Sequence, residues 1–393
     1  MAKSTSSPND VLGTLYAISA NSFDAESDRI KALLAAYALV SRLETPWERI
    51  ARMCMGEATL SASLKVVKDL QLFEKWHANG DEARSGDELA ALVNCDRDLL
   101  GRILRHLATN HILIEPTAGV FKPTTFSLSL LQPVFGEWIS YLFDVGIPVL
   151  HKTPEFLQKT GYKNPTDPRD VAFQYAKDYQ GDMFDYFTSH PREGASFNHV
   201  MGGVMAHQAG WLEIIPAEHF MDGSDPSGPL VVDVGGNIGH DIEKFRQVYP
   251  ETAHRLYLQD LPAVVKLAKC PDPVNIMAHD FFQPQQVLGS RIYYVHAVLH
   301  DWSDEPARQI LKMIRNAMKP GYSRLLVHDH VMPEKDAHPH ATAYDLTMMA
   351  LLAGVERTET QWRDLLSSVG YRMVKVWRSP LAAQAIIEAA MAD

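Results

Sequence analysis

A cluster of three glycines follows a short apolar run near the middle of the chain. Segment 229–240 reads Pro-Leu-Val-Val-Asp-Val-Gly-Gly-Asn-Ile-Gly-His, with Asp233 before the glycines Gly235, Gly236 and Gly239, and a helical pattern begins directly after it. A buried strand, a glycine turn and a helix N-terminus form the nucleotide-binding crossover of doubly wound α/β folds, because glycine lets the chain turn with positive φ and lets a ligand approach the backbone. The segment therefore predicts a nucleotide site.

Two acidic side chains at the ends of later strand-like segments extend this site. Asp260 lies about 20 residues after the last of the three glycines, at the end of the apolar segment 256–259. A carboxylate at that point can accept hydrogen bonds from a ribose diol, which suits NAD and S-adenosylmethionine equally well. Asp280 and Phe281 end a third strand-like segment and offer a carboxylate and a ring to an adenine. These residues predict an adenosine-containing cofactor, and Asp280-Phe281 together with the motif after the fourth strand separates the two cofactors.

A histidine follows the fourth strand-like segment. Residues 293–304 read Tyr-Tyr-Val-His-Ala-Val-Leu-His-Asp-Trp-Ser-Asp, which places His300 just beyond the strand. Open parallel sheets bind ligands at the carboxyl ends of their strands. A neutral imidazole, with a pKa of about 6.5, is suited to remove a proton at neutral pH. An isolated His-Asp pair could equally cap the next helix, so the surrounding motif decides between the two interpretations.

With these motifs the chain resembles the S-adenosylmethionine-dependent O-methyltransferases of small phenolic natural products, the plant caffeate type and its fungal relatives. Residues 300–304 look like that family's catalytic motif, and 259–262, which include Leu261, look like its ribose motif. Asp280-Phe281 and the late segment 356–359, Glu-Arg-Thr-Glu, match in the same order. The resemblance implies S-adenosyl-L-methionine as the cofactor and His300 as the general base. It also implies methyl transfer to a hydroxyl, with a phenol preferred, of a small aromatic or polyketide-like metabolite.

The resemblance also implies roles for residues outside the main motifs. Asp329 and Glu356 correspond to the carboxylates that orient the base and stabilise its cation. Asp329 is shorter than the Glu that is common in the caffeate-type enzymes. Phe197 and Met201 match a Phe-Asn-x-x-Met signature whose Phe and Met lie against the cofactor.

The walls of an acceptor pocket are expected from methionines and aromatic residues. Met348 and Met349 lie where the family places methionines that sandwich the aromatic acceptor, a use that suits flexible, polarisable side chains. Trp138 and Phe184 belong to apolar helical segments before the glycine motif and are candidate pocket walls. Residue by residue, an ordinary core is an equally good interpretation of those aromatic segments.

Two residues depart from the pattern of the family. Asn237 replaces the middle glycine of the motif, and Asn is the non-glycine residue that best tolerates positive φ, so we expect the turn to survive. His296 replaces a lysine that lies near the cofactor in plant members. Neither change removes a catalytic group.

The pattern of apolar segments predicts an α/β fold with two main parts. Five strands alternating with helices predict a parallel sheet, and two closely spaced strands predict an antiparallel hairpin at one edge, as in Rossmann-like methyltransferases. We expect a flexible segment 1–24, a helical and winged-helix dimerisation domain over 25–125, and a domain with the pocket helices and the cofactor site over 126–393. The predicted strands are 230–234, 255–259, 274–278, 291–295, 324–329, 371–377 and 383–388.

A winged helix-turn-helix is predicted over residues 85–125. Its second helix carries Arg97, Arg102 and Arg105, which would suit DNA binding. Asp96 and Asp98 lie beside these arginines and the formal net charge of the chain is −11, so nucleic acid is not an expected partner. In the family resembled this module joins two subunits, and the surplus of amphipathic helix before residue 126 agrees with a homodimer.

Composition and the scattered cysteines favour a cytosolic protein. The 393 residues are 46% hydrophobic and 22% charged, which is typical of a soluble globular chain of two domains. The three cysteines are scattered without a CxxC pair, and neither a signal peptide nor an apolar run long enough for a membrane span is visible. We therefore expect no membrane partner and a cytoplasmic location.

Three further interpretations compete with the methyltransferase. A metal would recruit His328, Asp329 and His330, but side chains alternate along a strand, which puts the two histidines on one face and the aspartate on the other. The fold resembled needs no metal, so none is expected. Some fungal relatives bind S-adenosylmethionine yet catalyse dehydration or a pericyclic rearrangement, and this alternative stays open. A regulatory protein that only binds the cofactor would leave His300 without a purpose.

Overall fold

The N-terminal arm consists of helices with little core of their own. The computed structural model describes residues 7–207, 210–216, 218–378 and 384–392. The arm comprises α1 (Pro8–Ala17), α2 (Glu26–Leu43), α3 (Pro46–Ala51) and a π-helical turn, Arg52–Gly56. No residue of α2, α3 or the turn is buried. Segment 1–24, expected to be flexible, thus includes the helix α1.

A winged helix-turn-helix follows, as predicted. The chain folds into α4 (Glu57–Asp69), α5 (Leu72–Ala78), β1 (Arg84–Ser85), α6 (Gly86–Val93), α7 (Arg97–Thr109), β2 (Leu113–Thr117), β3 (Val120–Pro123) and α8 (Thr125–Ser129). The wing is a three-stranded antiparallel sheet in the order β1-β3-β2. Trp76, Leu104 and Phe121 lie in its core and are almost fully buried. The module therefore has its own hydrophobic core.

A layer of helices connects this module to the large sheet. These are α9 (Pro133–Tyr141), a π-helical turn (Leu142–Gly146), α10 (Ile147–Lys159), α11 (Ala172–Lys177), α12 (Met183–Ser189), α13 (Pro191–His207), α14 (Trp211–Ile214) and α15 (Glu218–Met221). Side chains from α9 to α13 form one apolar cluster with those of the later helix Pro339–Leu352. The helical layer thus packs over the part of the chain that follows the sheet strands.

The central sheet has seven strands. Its elements are β4 (Val231–Val234), α16 (His240–Val248), β5 (Leu256–Asp260), α17 (Pro262–Val265), β6 (Asn275–Ala278), β7 (Ile292–His296), α18 (Asp304–Ala317), β8 (Arg324–Asp329), α19 (Pro339–Leu352), α20 (Glu359–Ser368), β9 (Tyr371–Arg378) and β10 (Ala385–Met391). In space the strands follow the order β6-β5-β4-β7-β8-β10-β9. The first five are parallel, and β9 and β10 form an antiparallel hairpin at the edge. The fold class predicted from the sequence is confirmed.

The order of the strands creates one crevice. The chain moves outward from β4 to β6 and then returns to β7 on the other side of β4. Ligands of such sheets bind outside the carboxyl ends of the strands at this reversal. Two apolar layers hold the sheet, one with α18 and α20 and the other with α14 and α16. Among the described residues, no helix is both long and apolar enough to cross a bilayer.

Candidate active site

The glycine motif forms a tight loop between β4 and α16. Gly235 and Gly239 have φ of +73° and +92°, and Asn237 has φ of 53°, as the sequence predicted for this asparagine. A Cβ atom at Gly236 would lie 2.4 Å from Cγ of Asp233. Any side chain there would collide with the buried aspartate, so the loop needs glycine to lie this close to the strand.

Asp260 joins the glycine loop to the neighbouring strand. Its two carboxylate oxygens accept hydrogen bonds from the backbone N–H groups of Asn237 (2.8 Å) and Leu261 (2.7 Å). Burial raises the pKa of Asp260, and these hydrogen bonds counteract the shift. A carboxylate can accept about four hydrogen bonds, so capacity for a ribose diol remains.

Asp280 and Phe281 complete the loop cluster at the end of β6. Asp280 accepts a hydrogen bond from the N–H of Phe282 (2.9 Å), which fixes the turn. A Cβ atom at Gly235 would lie 3.7 Å from the ring of Phe281, and this ring meets Trp302 at a centroid distance of 6.1 Å. Three predicted cofactor motifs therefore meet at one edge of the sheet, with exposed main chain, a half-buried acid and a ring. These groups fit an adenosine-containing cofactor.

His296, predicted near the cofactor, belongs to a polar cluster between β7, β8 and α16. Its ring nitrogens contact Oδ2 of Asp241 (2.5 Å) and Oε1 of Gln384 (2.9 Å), and its ring stacks on His328 at 4.0 Å. A further hydrogen bond joins Nδ1 of His328 to the Tyr294 hydroxyl (2.7 Å). Because Asp241 lies in the first turn of α16, this cluster ties the helix after the glycine loop to the sheet.

The histidine of the catalytic motif lies in a 3₁₀ turn, Leu299–Asp301, just beyond β7. Nδ1 of His300 donates a hydrogen bond to Oε1 of Glu356 (2.7 Å), and its Nε2 lies 3.4 Å from Oδ1 of Asp301. Burial alone would lower the pKa of His300, but Asp301, Asp329 and Glu356 outweigh burial and raise it to about 10. The ring is thus oriented by one carboxylate and surrounded by three.

Glu356 bridges two histidines. Its second oxygen accepts a hydrogen bond from Nδ1 of His330 (3.0 Å), and its backbone N–H donates to Asp345 (2.9 Å). Burial would raise the pKa of Glu356, but the hydrogen bonds from His300 and His330 lower it to about 2. The sequence motif identified Glu356. Sequence reasoning missed His330, because β8 ends at Asp329 and the alternation of side chains no longer applies beyond it.

Asp329 lies near His300 without holding it. Within the described part of the chain, neither of its carboxylate oxygens has a hydrogen-bond partner. Burial raises its pKa to about 6, although the attraction of His300 opposes the shift. The expectation that Asp329 and Glu356 both hold the base thus finds a hydrogen bond only for Glu356. The shorter side chain leaves Asp329 an electrostatic neighbour.

His328 and His330, expected on one face of the strand, lie in different clusters. The ring of His328 stacks on His296, whereas His330 contacts Glu356. In the described ranges of the chain, no group of three His, Cys, Asp or Glu side chains is arranged to hold a metal ion.

Arg357 fixes the turn that carries His300. Its guanidinium donates to the carbonyl oxygens of Leu299 (3.0 Å) and Trp302 (2.8 Å) and to Asp304 (2.9 Å). The side chain is almost fully buried and stacks against the ring of Trp362. These contacts fix the backbone on both sides of His300.

Aromatic rings of the helical layer pack into one apolar cluster, which Tyr344 also contacts. Phe197 stacks on Phe187 at 4.6 Å and meets Tyr141 at 5.7 Å and Phe184 at 6.2 Å. Trp138 packs against Tyr141 at 6.3 Å. The predicted wall residues Trp138 and Phe184 and the predicted cofactor residue Phe197 therefore share one aromatic cluster.

Residues of α13 and α19 adjoin this apolar cluster. Met201 packs on the same cluster as Phe197, Met348 is buried next to Gly354, and Met349 is half-buried on α19. Tyr344, which the sequence analysis did not single out, faces both His300 (6.1 Å between ring centroids) and His330 (5.2 Å). Burial raises the pKa of its phenol. Tyr344 could have been predicted only from the position of α19, which faces the carboxyl ends of the strands.

Comparison with known proteins identifies this class of fold and site. The model of the O-methyltransferase domain family matches residues 166–372, more than half of the chain. The chain belongs to this family of S-adenosyl-L-methionine-dependent O-methyltransferases, and it methylates a secondary metabolite. The enzyme class, the cofactor and the family predicted from the sequence are confirmed.

Individual relatives cover almost the whole chain. The O-methyltransferase mfmE of Annulohypoxylon moriforme is 62% identical over 98% of this chain and 96% of its own length. The structure of a pericyclic reaction enzyme has a TM-score of 0.86 and 28% identity, covering 98% of this chain and 99% of that chain. The structure of OxaC in complex with SAH and oxaline has a TM-score of 0.81 and 26% identity, covering 98% and 96%.

Proposed function

We propose that this O-methyltransferase transfers the methyl group of its cofactor to a hydroxyl of a small aromatic or polyketide-like metabolite, with a phenolic hydroxyl as the preferred acceptor. His300 acts as the general base. The observation that carries the proposal is the hydrogen bond of 2.7 Å between Nδ1 of His300 and Glu356, which turns Nε2 away from that carboxylate. The aromatic rings around Tyr141 offer flat apolar walls to a planar acceptor.

The cofactor contacts that we propose follow from the loop cluster. Gly235, Gly236 and Asn237 would face the methionine end of S-adenosyl-L-methionine, with Asp233 beneath them. Asp260 and Leu261 would hold its ribose, and Asp280 and Phe281 its adenine. When bound, the cofactor supplies an electrophilic methyl group on a positively charged sulfonium.

Proton removal is the task of the His300 cluster. A phenol with a pKa of about 10 is a poor nucleophile at neutral pH until it loses its proton. Nε2 of His300 takes this proton, and Glu356 orients the ring and stabilises the imidazolium. Without ligands the three carboxylates keep the pKa of His300 at about 10. A nearby positive charge lowers that pKa and favours the neutral, basic ring.

The positions of the acceptor walls support an aromatic substrate. Trp138, Phe184, Met348 and Met349 would enclose it, with Phe197 and Met201 between acceptor and cofactor. Alignment of the reacting oxygen by such walls can contribute strongly to the rate, because effective molarities of well-oriented reactants reach about 10⁵–10⁸ M.

A rearrangement without methyl transfer is the second candidate. One observation favours it, the TM-score of 0.86 with a pericyclic reaction enzyme over 98% of this chain. The relative with 62% identity carries the name of an O-methyltransferase, which favours methyl transfer.

Consumption of the cofactor separates the two reactions. We would incubate the enzyme with cofactor labelled in its methyl group and an extract of the source organism, and analyse the products by mass spectrometry. We expect S-adenosylhomocysteine and a product heavier by one methyl group, and His300→Ala should lower turnover by roughly 10²- to 10⁴-fold. Formation of a product without release of S-adenosylhomocysteine would contradict the proposal.

Binding of the cofactor has its own test. Calorimetry with S-adenosylhomocysteine should show weaker binding for Asp260→Ala, by roughly 10- to 150-fold, because a hydrogen bond to a charged group contributes about 1.5–3 kcal/mol. Lys266→Ala, a neighbouring change away from the carboxylate, is the control. Equal affinities for Asp260→Ala and the unmodified enzyme would refute the assignment of the ribose site.

The N-terminal arm supports a homodimer. Tyr16, Leu43 and Trp47 expose 87%, 70% and 79% of their surface, a large apolar area for an isolated chain. We infer that a second copy covers it. Light scattering should give about twice 44.0 kDa, and a mass of 44.0 kDa for the active enzyme would exclude the dimer. The three free cysteines agree with work in a reducing cytosol, which imaging of a fluorescent fusion would check.

A further inference from the structure

We propose that His330 tunes the basicity of His300 through the Glu356 carboxylate that the two histidines share. The inference rests on the proposed role of His300 as the base. His330 acts only through another residue in this account, so it is a positioning residue.

The Glu356 carboxylate lies between two hydrogen-bond donors, the rings of His300 and His330. Nδ1 of His300 donates to Oε1 of Glu356 (2.7 Å), and Nδ1 of His330 donates to Oε2 (3.0 Å). An ionised carboxylate only accepts hydrogen bonds, so both ring nitrogens must carry hydrogens. The Glu356 side chain is fully buried, and water does not compete for these oxygens.

Backbone contacts keep His330 beside Glu356. The carbonyl oxygen of His330 accepts a hydrogen bond from Nε1 of Trp362 (3.0 Å). The N–H of Met332 donates to the carbonyl oxygen of Arg357 (3.0 Å), and Met332 forms a parallel bridge with Thr358. The two segments that carry His330 and Glu356 are thus paired, which keeps their backbones next to each other.

Other charged groups also face this cluster. Asp329 at the end of β8 and Asp301 in the 3₁₀ turn are acids that attract His300, and α19 contributes Asp345, which accepts the N–H of Glu356. These acids all favour a protonated His300. Tyr344 on the same helix is a neutral phenol.

Cations in this region have separate partners. The guanidinium of Arg357 is turned to Asp304 and to two backbone carbonyls. The ring of His330 contacts Oε2 of Glu356, the oxygen that His300 does not use. Its N–H group or its positive charge therefore interacts with the same anion as His300. Its presence weakens the pull of Glu356 on His300 and keeps His300 more easily deprotonated.

Removal of His330 should therefore make His300 more basic. In His330→Ala all of the negative charge of Glu356 acts on His300, and we expect the midpoint of its titration to rise by roughly one pH unit. His330→Asn keeps an N–H donor but cannot become a cation. In this variant the titration midpoint of His300 should rise by about half as much as in His330→Ala. His254→Ala removes an exposed histidine far from the cluster and should leave the midpoint unchanged.

The titration can be followed without the acceptor. We would label the histidines with ¹⁵N, saturate the enzyme with S-adenosyl-L-methionine, and record the ring signals by NMR across the pH range, with the His300 signal assigned by its loss in His300→Gln. The proposal is supported if the titration midpoint of His300 is highest in His330→Ala, lower in His330→Asn and lowest in the unmodified enzyme. Equal midpoints in all three would overturn it.

Two safeguards separate the possible failures. If His330→Ala does not fold, the comparison of His330→Asn with the unmodified enzyme decides, and an unshifted midpoint there contradicts the proposal. Undiminished turnover of His300→Ala would instead refute the proposed base itself. If turnover requires His300 but the titration midpoint of His300 does not shift in the His330 variants, only the role of His330 is refuted.

Discussion

Two clusters of histidines and carboxylates lie at the ends of the same two strands, β7 and β8, and they differ in almost every electrostatic respect. The anchoring cluster consists of Asp241, Tyr294, His296, His328 and Gln384. The reactive cluster consists of His300, Asp301, Asp329, His330 and Glu356. Only one residue separates the last histidine of β8, His328, from His330, yet the two rings belong to different clusters.

The ratio of carboxylates to histidines distinguishes the clusters. In the anchoring cluster one carboxylate serves two stacked rings, and burial together with the neighbouring His296 lowers the pKa of His328 well below its usual value. In the reactive cluster three carboxylates surround His300 and overcome burial, so that its pKa rises to about 10. The pKa of the same residue type is thus shifted in opposite directions in the two clusters.

The location of each cluster explains this difference. The anchoring cluster lies between the strands and α16 and fixes the helix that follows the glycine loop. In the reactive cluster the ring of His300 faces Tyr344, which packs against the aromatic cluster of the helical layer. A change in the first should therefore be visible in stability. A change to His300 or Glu356 in the second should be visible in turnover, whereas Asp329, whose carboxylate has no hydrogen bond among the described residues, should affect stability.

The largest effect is expected for Glu356→Gln in the reactive cluster. Loss of the negative charge removes the stabilisation of the imidazolium, and turnover should fall by about 10²- to 10⁴-fold while S-adenosylhomocysteine still binds. Steady-state kinetics with the acceptor found by the labelling experiment would measure this. Glu359→Gln, an exposed carboxylate nearby, is the control, and an equal loss in both variants would speak against a specific role for Glu356.

The next effect concerns stability and comes from the anchoring cluster. His296→Leu leaves the buried Asp241 without its partner, and breaking a buried pair costs about 3–5 kcal/mol. Denaturant unfolding followed by circular dichroism would measure the loss. His296→Gln retains an N–H donor and should lose less. If both variants unfold at the same denaturant concentration as the unmodified protein, the cluster does not anchor α16.

Asp329→Asn should stabilise the protein in a pH-dependent way. Burial raises the pKa of Asp329 from 3.8 to about 6, so the charged form weakens the fold above pH 6 and costs nothing below about pH 4. The neutral amide should therefore add up to about 3 kcal/mol of unfolding free energy at pH 8 and none near pH 4. Unfolding curves at the two pH values test this. A gain of the same size at both would show that the charge is not responsible.

Much of the catalytic half could be predicted from the sequence because its motifs are local. The glycine turn, including the positive φ of Asn237, follows from residue types that few other conformations accommodate. The five parallel strands follow from apolar runs of the right length, and the edge hairpin from two closely spaced ones.

The arrangement of the base could be predicted only in part. The motif around Glu356 pointed to the carboxylate that holds His300, but no local pattern shows that Asp329 is too short to join it. His330 and Tyr344 reach the cluster from a loop and from α19, and contacts between distant segments depend on packing that one sequence does not reveal. The helix α1 in the polar N-terminal segment was missed because composition alone favours flexibility there.

The central claim is that His300 removes the proton of the acceptor. The most direct test is how the rate lost in His300→Ala depends on pH. Single-turnover rates of the unmodified enzyme and His300→Ala would be compared from pH 7 to pH 10 with a phenolic acceptor. A phenol loses its proton unaided near its own pKa of about 10, so the rate deficit of His300→Ala should shrink from roughly 10²-fold or more at pH 7 toward parity at pH 10. A deficit that stays the same across this range would contradict the account, because it would show that His300 supports the site without acting as its base.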